Sequence, residues 1–246
     1  MIWGFSRRRR SQLRPLSRPR LEFLEDRTAP SVFWGGFAST PQHTAQATVA
    51  TQPLNQILWH TPVDQNPPYQ GGDLLVHYGS PAITQANTVI VPVTRASGGF
   101  EVDAHNGATG SLLWSQSTDY SLPPHDWVPS YSPVLTANGR LYFAGAGGTI
   151  YFTSNLDSTS PSAPTQIVYY GASNYAANPG AYNSTVFVNT PLTADSNGDI
   201  FFGIRVTGAH GCHESQTDQG DPETGHQASS RSGIVRAAQT LATGFP

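Results

Sequence analysis

The sequence predicts an all-β fold, a partial β-propeller of about three blades plus part of a fourth. First, 24 Gly and 20 Pro divide the 246 residues into short segments, which leaves few windows for long helices. Second, a triplet of two apolar residues and an aromatic residue recurs at equal intervals, at 57–59, 112–114 and 167–169. Third, a run rich in β-forming residues follows each triplet. A repeat of this length is typical of propeller blades.

Residues 1–32 are predicted to be an Arg-rich leader, either disordered or with one short helix. Eight of the 13 basic residues lie within the first 27 positions, and all 13 are Arg. No apolar run of signal-peptide length follows them, so an ordinary cleaved signal peptide is not expected. The stretch LEFLEDRTAPS at 21–31 resembles a leader of large exported or surface proteins of some bacteria. That resemblance implies an extracellular or cell-envelope location, with the cytoplasm as the alternative.

The rest of the chain is acidic. Residues 28–246 contain five Arg against 13 Asp and Glu, a net charge of −8. A body without a basic stripe is not expected to bind nucleic acid. No apolar stretch has the length of a transmembrane helix, and with Cys212 as its single cysteine the chain forms no intramolecular disulfide.

The repeat divides residues 33–246 into units near 57–111, 112–166 and 167–246. A Ser-Pro or Thr-Pro marker follows each aromatic residue, with its proline 22, 19 and 22 positions later. Asn138-Gly139 and Asn197-Gly198 each precede a β-rich run and predict tight hairpin turns. Each unit is therefore predicted to form several short antiparallel strands. A two-sheet sandwich is the alternative, but it has no reason to repeat one signature at a constant interval.

Residues 104–114, AHNGATGSLLW, resemble the docking motif A-x-D-x-x-T-G-x-x-x-W of the quinoprotein-like (pyrroloquinoline-quinone repeat) β-propellers. Asn106 stands where that motif has Asp. The resemblance implies that the Thr-Gly turn and the aromatic ring lock one blade to the next, which is a packing role and not a catalytic one. The blade-docking residues predicted on this basis are Ala104, Thr109, Gly110, Trp114, Trp59 and Tyr169.

Propellers close with about four to eight blades. Three blades and part of a fourth would leave open sheet edges, so we expect a protein partner or the remainder of a longer chain to complete the ring. We expect a non-catalytic binding or scaffold module without a cofactor, because no catalytic, cofactor-binding or metal position of the enzymatic quinoproteins can be matched. The alternative is the N-terminal fragment of a quinone-dependent dehydrogenase whose catalytic blades are missing.

Two polar clusters carry weaker metal-binding patterns. His210, Cys212, His213 and His226 include soft metal ligands, but their spacing fits no standard zinc site. Residues 195–199 have the composition of a calcium loop, but an EF-hand alignment places Thr193 and Ile204 at ligand positions. A solvated loop and a hairpin turn are the simpler interpretations.

A third cluster has the residue types of a hydrolase triad. Asp103, His105 and Ser111 lie close together in the sequence. No G-x-S-x-G nucleophile elbow accompanies them. Alternation along a strand also places Asp and His on one face by chance, so no catalytic triad is predicted.

Overall fold

The computed structural model describes residues 33–47, 55–67, 69–74, 79–124, 130–207 and 231–237. The predicted leader and the cluster around Cys212 lie outside these ranges. The described part is mostly β, as predicted, and its three main sheets are antiparallel and open. These ranges contain two short α-helices, α1 (Ala172–Ala177) and α2 (Pro179–Thr185), and one 3-10 turn at Ala146–Gly148. Neither described helix has the length and apolar character that a membrane crossing requires.

The strands follow one another along the chain as short hairpins. A small separate pair consists of β1 (Tyr69–Gln70) and β2 (Asp73–Leu74). Sheet 1 contains β3 (Ala82–Ile83), β4 (Thr88–Thr94), β5 (Phe100–Asn106) and β6 (Leu112–Thr118). Sheet 2 contains β7 (Val134–Leu135), β8 (Leu141–Ala144), β9 (Ile150–Thr153) and β10 (Thr165–Ile167). Sheet 3 contains β11 (Val186–Val188), β12 (Thr193–Ala194), β13 (Ile200–Val206) and β14 (Arg231–Ala237).

Sheets 1 and 2 share one topology, and sheet 3 is narrower. In sheets 1 and 2 the four strands pair in chain order. In sheet 3, β14 pairs along the whole of β13, so β11 and β12 share the opposite edge of β13. In the segment that joins β11 to β12, the Thr190 hydroxyl accepts a hydrogen bond from the Gly203 N–H of β13 at 2.7 Å. The described part of sheet 3 is therefore only three strands wide.

The hairpins β3–β4, β7–β8 and β12–β13 have the same turn. Their loops span 84–88, 136–140 and 195–199, and in each the first N–H donates to the last carbonyl at 2.9–3.0 Å. The fourth residue has a positive φ, +66° at Asn87, +76° at Gly139 and +86° at Gly198. The turns predicted at the two Asn-Gly pairs are confirmed. The turn at Asn87 was not predicted, because Asn adopts the left-handed region less readily than Gly and is a weaker signal.

Burial shows the order in which the sheets are stacked. Every residue of β8 is at most 2% exposed, so sheet 2 is covered on both faces. In β13, buried residues alternate with half-buried ones, so sheet 3 has one well-covered face. In sheet 3, β12 corresponds to β3 and β7, because it precedes the same hairpin turn. These three strands, called the first strands of their sheets, lie side by side, with β3 and β12 both contacting β7. Sheet 2 therefore lies between sheets 1 and 3, and the first strands meet along one side of the stack.

The Ser-Pro markers lie where these first strands meet. The Ser80 N–H donates to the Ser132 hydroxyl at 3.1 Å, and the Leu192 N–H donates to the Ser132 carbonyl at 3.3 Å. Gly79 fits there because it has no side chain, since a Cβ would lie 2.4 Å from the Tyr131 carbonyl oxygen. The second repeated signal of the sequence thus marks a close approach between neighbouring sheets.

Candidate functional site

Trp59 packs on the turn that follows β5. Its indole N–H donates to the Gly107 carbonyl at 2.9 Å, and its ring stacks on His105 with centroids 5.8 Å apart. Gly110 adopts φ +73°, and a Cβ at that position would lie 2.6 Å from the Trp59 ring. Both the backbone conformation and the available space therefore require glycine beneath the indole.

Trp114 makes the corresponding contact one sheet further along. It lies in β6, it is 6% exposed, and its indole N–H donates to the Leu156 carbonyl at 2.8 Å. Leu156 belongs to the loop after β9 in sheet 2. The tryptophans of two successive repeat units thus each bond to a backbone carbonyl in the loop that follows the third strand of the next sheet.

Tyr169 follows β10 and reaches sheet 3. Its ring meets Phe202 of β13 edge to face, with centroids 5.7 Å apart. The neighbouring Tyr170 stacks on Tyr182 of α2 at 4.6 Å, and its hydroxyl donates to the Gly147 carbonyl at 2.7 Å. The aromatic residue of the third unit therefore also contacts the next sheet, and the connection that follows it contains the helices α1 and α2.

The chain meets the next sheet again soon after each tryptophan. The Val63 carbonyl accepts from the Thr94 N–H at 2.8 Å, at the end of β4. The Thr118 hydroxyl donates to the Ala144 carbonyl at 2.6 Å, at the end of β8. Both residues lie four positions after their tryptophan. These contacts were not predicted, although an Asp follows each of the two residues and offered a signal for them.

The remaining residues of the docking motif lie at the end of β5 and in the turn that follows it. Ala104 is fully buried. The Asn106 side-chain oxygen accepts from the N–H groups of Ala108 and Thr109 at 3.0 and 3.1 Å, and the Thr109 hydroxyl lies 2.8 Å from the Ser111 hydroxyl. The Asn106 amide oxygen thus holds the turn by accepting from two backbone N–H groups.

Sheets 1 and 2 are also joined through Asp157. One of its carboxylate oxygens accepts from the hydroxyls of Thr84 and Thr88 at 2.5 and 2.7 Å. Both threonines are buried at the β3–β4 turn, so Asp157 satisfies two donors that are otherwise shielded from water. The contact fixes the β3–β4 turn against the loop that holds Leu156.

Two clefts flank the β7–β8 turn. The larger has a volume of about 340 Å³, and its polar lining includes Thr84, Thr136, Asn138, Asn155 and Asp157. The smaller, of about 130 Å³, is mostly apolar and lies between Phe33, Phe37 and Leu192. Among the residues that the structure describes, neither lining contains His or Cys. The clefts offer hydrogen-bond donors, acceptors and apolar surface, but no pairing of a nucleophile with an imidazole base.

Asp103, His105 and Ser111 do not form a catalytic triad in the structure. The Ser111 hydroxyl bonds to Thr109, and His105 Nδ1 lies 3.0 Å from the Gly110 carbonyl oxygen. His105 Nε2 and one carboxylate oxygen of Asp103 are buried without a hydrogen-bond partner in the described part of the chain. The three residues therefore have packing contacts in place of a proton relay.

Of the two clusters with metal-binding patterns, only residues 195–199 lie within the described ranges. The Asp195 carboxylate accepts from the N–H groups of Asn197 and Asp199, both at 2.9 Å, which is the predicted hairpin turn. Within the described ranges, no three His, Cys, Asp or Glu side chains are arranged to hold a metal. The cluster at 210–226 lies outside them.

An aromatic cluster joins the sheets at the opposite end of sheet 1 from the clefts. Tyr120 stacks on Tyr131 at 5.3 Å, Phe100 packs against both, and the Tyr120 hydroxyl donates to the Val188 carbonyl at 2.9 Å. Burial raises the pKa of both tyrosines. Burial, together with the Asp119 charge, also raises the pKa of Tyr151 to about 12.

These raised pKa values predict a loss of stability in alkali. The unfolded chain releases tyrosine protons near about pH 10, whereas the folded chain still holds them. The stabilisation is therefore complete below about pH 10 and declines as the pH rises through the folded pKa values. Urea midpoints measured by circular dichroism at pH 8, 9, 10 and 11 are expected to fall above pH 10. Tyr131→Phe should flatten that decline, and equal wild-type midpoints at pH 8 and 11 would contradict the prediction.

The comparisons with known proteins give no family assignment. No protein-family model matches the chain, and a search of the curated proteins found no match. The proposal that follows therefore depends on the contacts described above.

Proposed function

We propose that this chain is a non-catalytic scaffold and binding module whose three sheets are successive blades of a quinoprotein-like β-propeller. The observation that carries the proposal is the repeated docking contact. Trp59 donates to a carbonyl of sheet 1 at 2.9 Å, and Trp114 donates to a carbonyl of sheet 2 at 2.8 Å. Contacts of the same kind at equivalent positions of two repeat units indicate one blade-to-blade geometry used twice.

The stacking of the sheets favours blades over a sandwich. A sandwich packs two sheets face to face, whereas here sheet 2 is buried between two others. The first strands β3, β7 and β12 contact one another in chain order, and β6 and β10 form outer edges of sheets 1 and 2. The sheets therefore meet along their first strands and diverge towards their outer strands. The blades of a propeller have the same arrangement.

The binding surface in this proposal is the end of the stack that carries the β3–β4, β7–β8 and β12–β13 turns. Turns held by a rigid framework are the usual location of binding residues. The clefts beside the β7–β8 turn combine polar groups, among them the carboxylates of Asp157 and Asp195, with the apolar Phe33. Such a lining suits hydrogen bonding and apolar contact with a ligand, and it lacks the paired acid and base groups of a catalytic site. The predicted location at the cell surface depends on residues outside the described ranges and stays a prediction.

Quinone binding tests the non-catalytic part of the proposal. The full chain is titrated with pyrroloquinoline quinone in the presence and absence of Ca²⁺, and the quinone absorbance is recorded. We expect no saturable change in absorbance, because the linings of the described clefts contain no paired acid and base groups that would act on a bound quinone. The quinone in buffer alone is the control. Stoichiometric binding that requires Ca²⁺ would overturn the proposal and favour the dehydrogenase alternative.

A further inference from the structure

The segment 55–65 has the position of an outer strand but no sheet of its own. Trp59 and Val63 contact sheet 1 as Trp114 and Thr118 of β6 contact sheet 2. β6 is paired along its length with β5. By contrast, the only strand pairing of this segment in the described part of the chain is the bridge between Asp64 and Thr94. Among the residues that the structure describes, the backbone from 55 to 60 therefore pairs with no strand.

Two apolar side chains on this segment are exposed. Ile57 is 84% exposed and Leu58 is 71% exposed, although they form one apolar triplet with Trp59. The corresponding triplets at 112–114 and 167–169 lie in or beside a paired outer strand. Within these two triplets Leu112 alone is exposed, at 55%, and the other residues are half-buried or buried. Exposed apolar residues on an extended, unpaired segment mark a surface that a further sheet would cover.

Within the described ranges, sheet 3 has no counterpart of the outer strands β6 and β10. Sheets 1 and 2 end in those strands, whereas the described part of sheet 3 ends at its third strand, β14. In the described part of the chain, the edge of β14 remote from β13 pairs with nothing. An open edge of seven residues offers its N–H and C=O groups to another strand.

We propose that residues 55–60 of one copy form the outer strand of sheet 3 in a second copy. The inference rests on the proposed function, since it treats the sheets as blades. Trp59 would then join sheet 3 of the second copy to sheet 1 of its own copy, as Trp114 joins sheet 1 to sheet 2. Each copy supplies one segment and one edge. With the three main sheets described in each copy, two copies make two head-to-tail junctions and close a ring of six sheets, within the range of about four to eight that propellers use.

A second copy fits better than closure within one chain. Trp59 fixes the segment to sheet 1, so pairing with sheet 3 of the same chain requires a ring of three sheets. That number is below the minimum of about four blades that propellers need. A second copy supplies a matching edge and a matching segment together, and it leaves neither unpaired.

Light scattering of the full chain tests the dimer. We expect a species of twice 26.4 kDa that dissociates on dilution. The double variant Ile57→Asp/Leu58→Asp should retain the circular dichroism of the folded chain, because both side chains are exposed. It should also raise the dimer dissociation constant at least about 100-fold, because unpaired charges are costly in a buried sheet contact. The variant Ala176→Asp/Ala177→Asp places the same charge on α1, outside the segment and the β14 edge, and should leave the dimer intact.

Hydrogen exchange locates the junction. Amides of 55–60 and 231–237 should become protected together as the dimer forms. The proposal is overturned if the chain is a monomer at every concentration or forms an open series of larger assemblies. It is also overturned if Ile57→Asp/Leu58→Asp leaves the dimer unaffected, or if neither segment becomes protected. The contact between Trp114 and sheet 2 lies within one copy. A folded monomer that still depends on Trp114 therefore overturns the ring alone, and the proposed function stands.

Discussion

Trp114→Ala is expected to lower the free energy of unfolding by about 3–5 kcal/mol. The side chain is 6% exposed, and its removal leaves a cavity between sheets 1 and 2. The Leu156 carbonyl also loses the indole donor at 2.8 Å, and an unpaired buried acceptor adds to the cost. Urea denaturation followed by circular dichroism measures the change. On the proposal that the sheets are blades, each stabilised mainly by its neighbours, the unfolding transition should also become broader.

Trp114→Phe separates the two contributions. Phenylalanine keeps most of the apolar ring but has no N–H, so a smaller loss of about 1–2 kcal/mol is expected. Equal losses for the two variants would mean that the hydrogen bond, and not the ring, holds the sheets together. A loss below about 1 kcal/mol for Trp114→Ala would contradict the docking role and with it the interpretation of the sheets as blades.

The sequence predicted those features that have a visible local signal. Trp59 and Trp114 stand out because tryptophan is rare, so the regular spacing of the triplets that contain them could be recognised. The turns at Gly139 and Gly198 were found because Asn-Gly favours a positive φ at a hairpin. The mostly β content followed from the many Gly and Pro residues. Each of these signals lies within a few neighbouring residues.

Features that depend on distant partners were not predicted. Asp157 binds Thr84 and Thr88 across 73 and 69 positions of sequence, and no local pattern indicates that contact. The helix α2 begins with Pro179 and is capped by the Asn178 side chain, which are recognisable start signals. They were not recognised, because a strand-rich repeat was expected in this part of the chain. That the described part of sheet 3 is three strands wide became visible only once the pairing of β11 and β12 with one edge of β13 was known.

Gly110→Ala is expected to lower the free energy of unfolding by about 2–5 kcal/mol. The residue adopts φ +73°, which costs a residue with a Cβ about 1–2 kcal/mol. The new Cβ would also lie 2.6 Å from the Trp59 ring, and overpacking of this kind costs about 1–3 kcal/mol more. The indole would have to move off the β5–β6 turn, which would break its bond to Gly107. Urea denaturation measures the change.

Gly139→Ala is the matched control for that substitution. Gly139 adopts φ +76° in the β7–β8 turn, and a Cβ there would meet nothing within 4 Å. It should therefore show the backbone strain alone, about 1–2 kcal/mol. In a Trp59→Ala background the ring is gone, so Gly110→Ala should cost no more than Gly139→Ala. Equal costs for the two glycine variants with Trp59 present would show that the indole is not held against Gly110. The segment 55–65 would then lose its anchor on sheet 1, and the strand exchange between copies would lose its geometric basis.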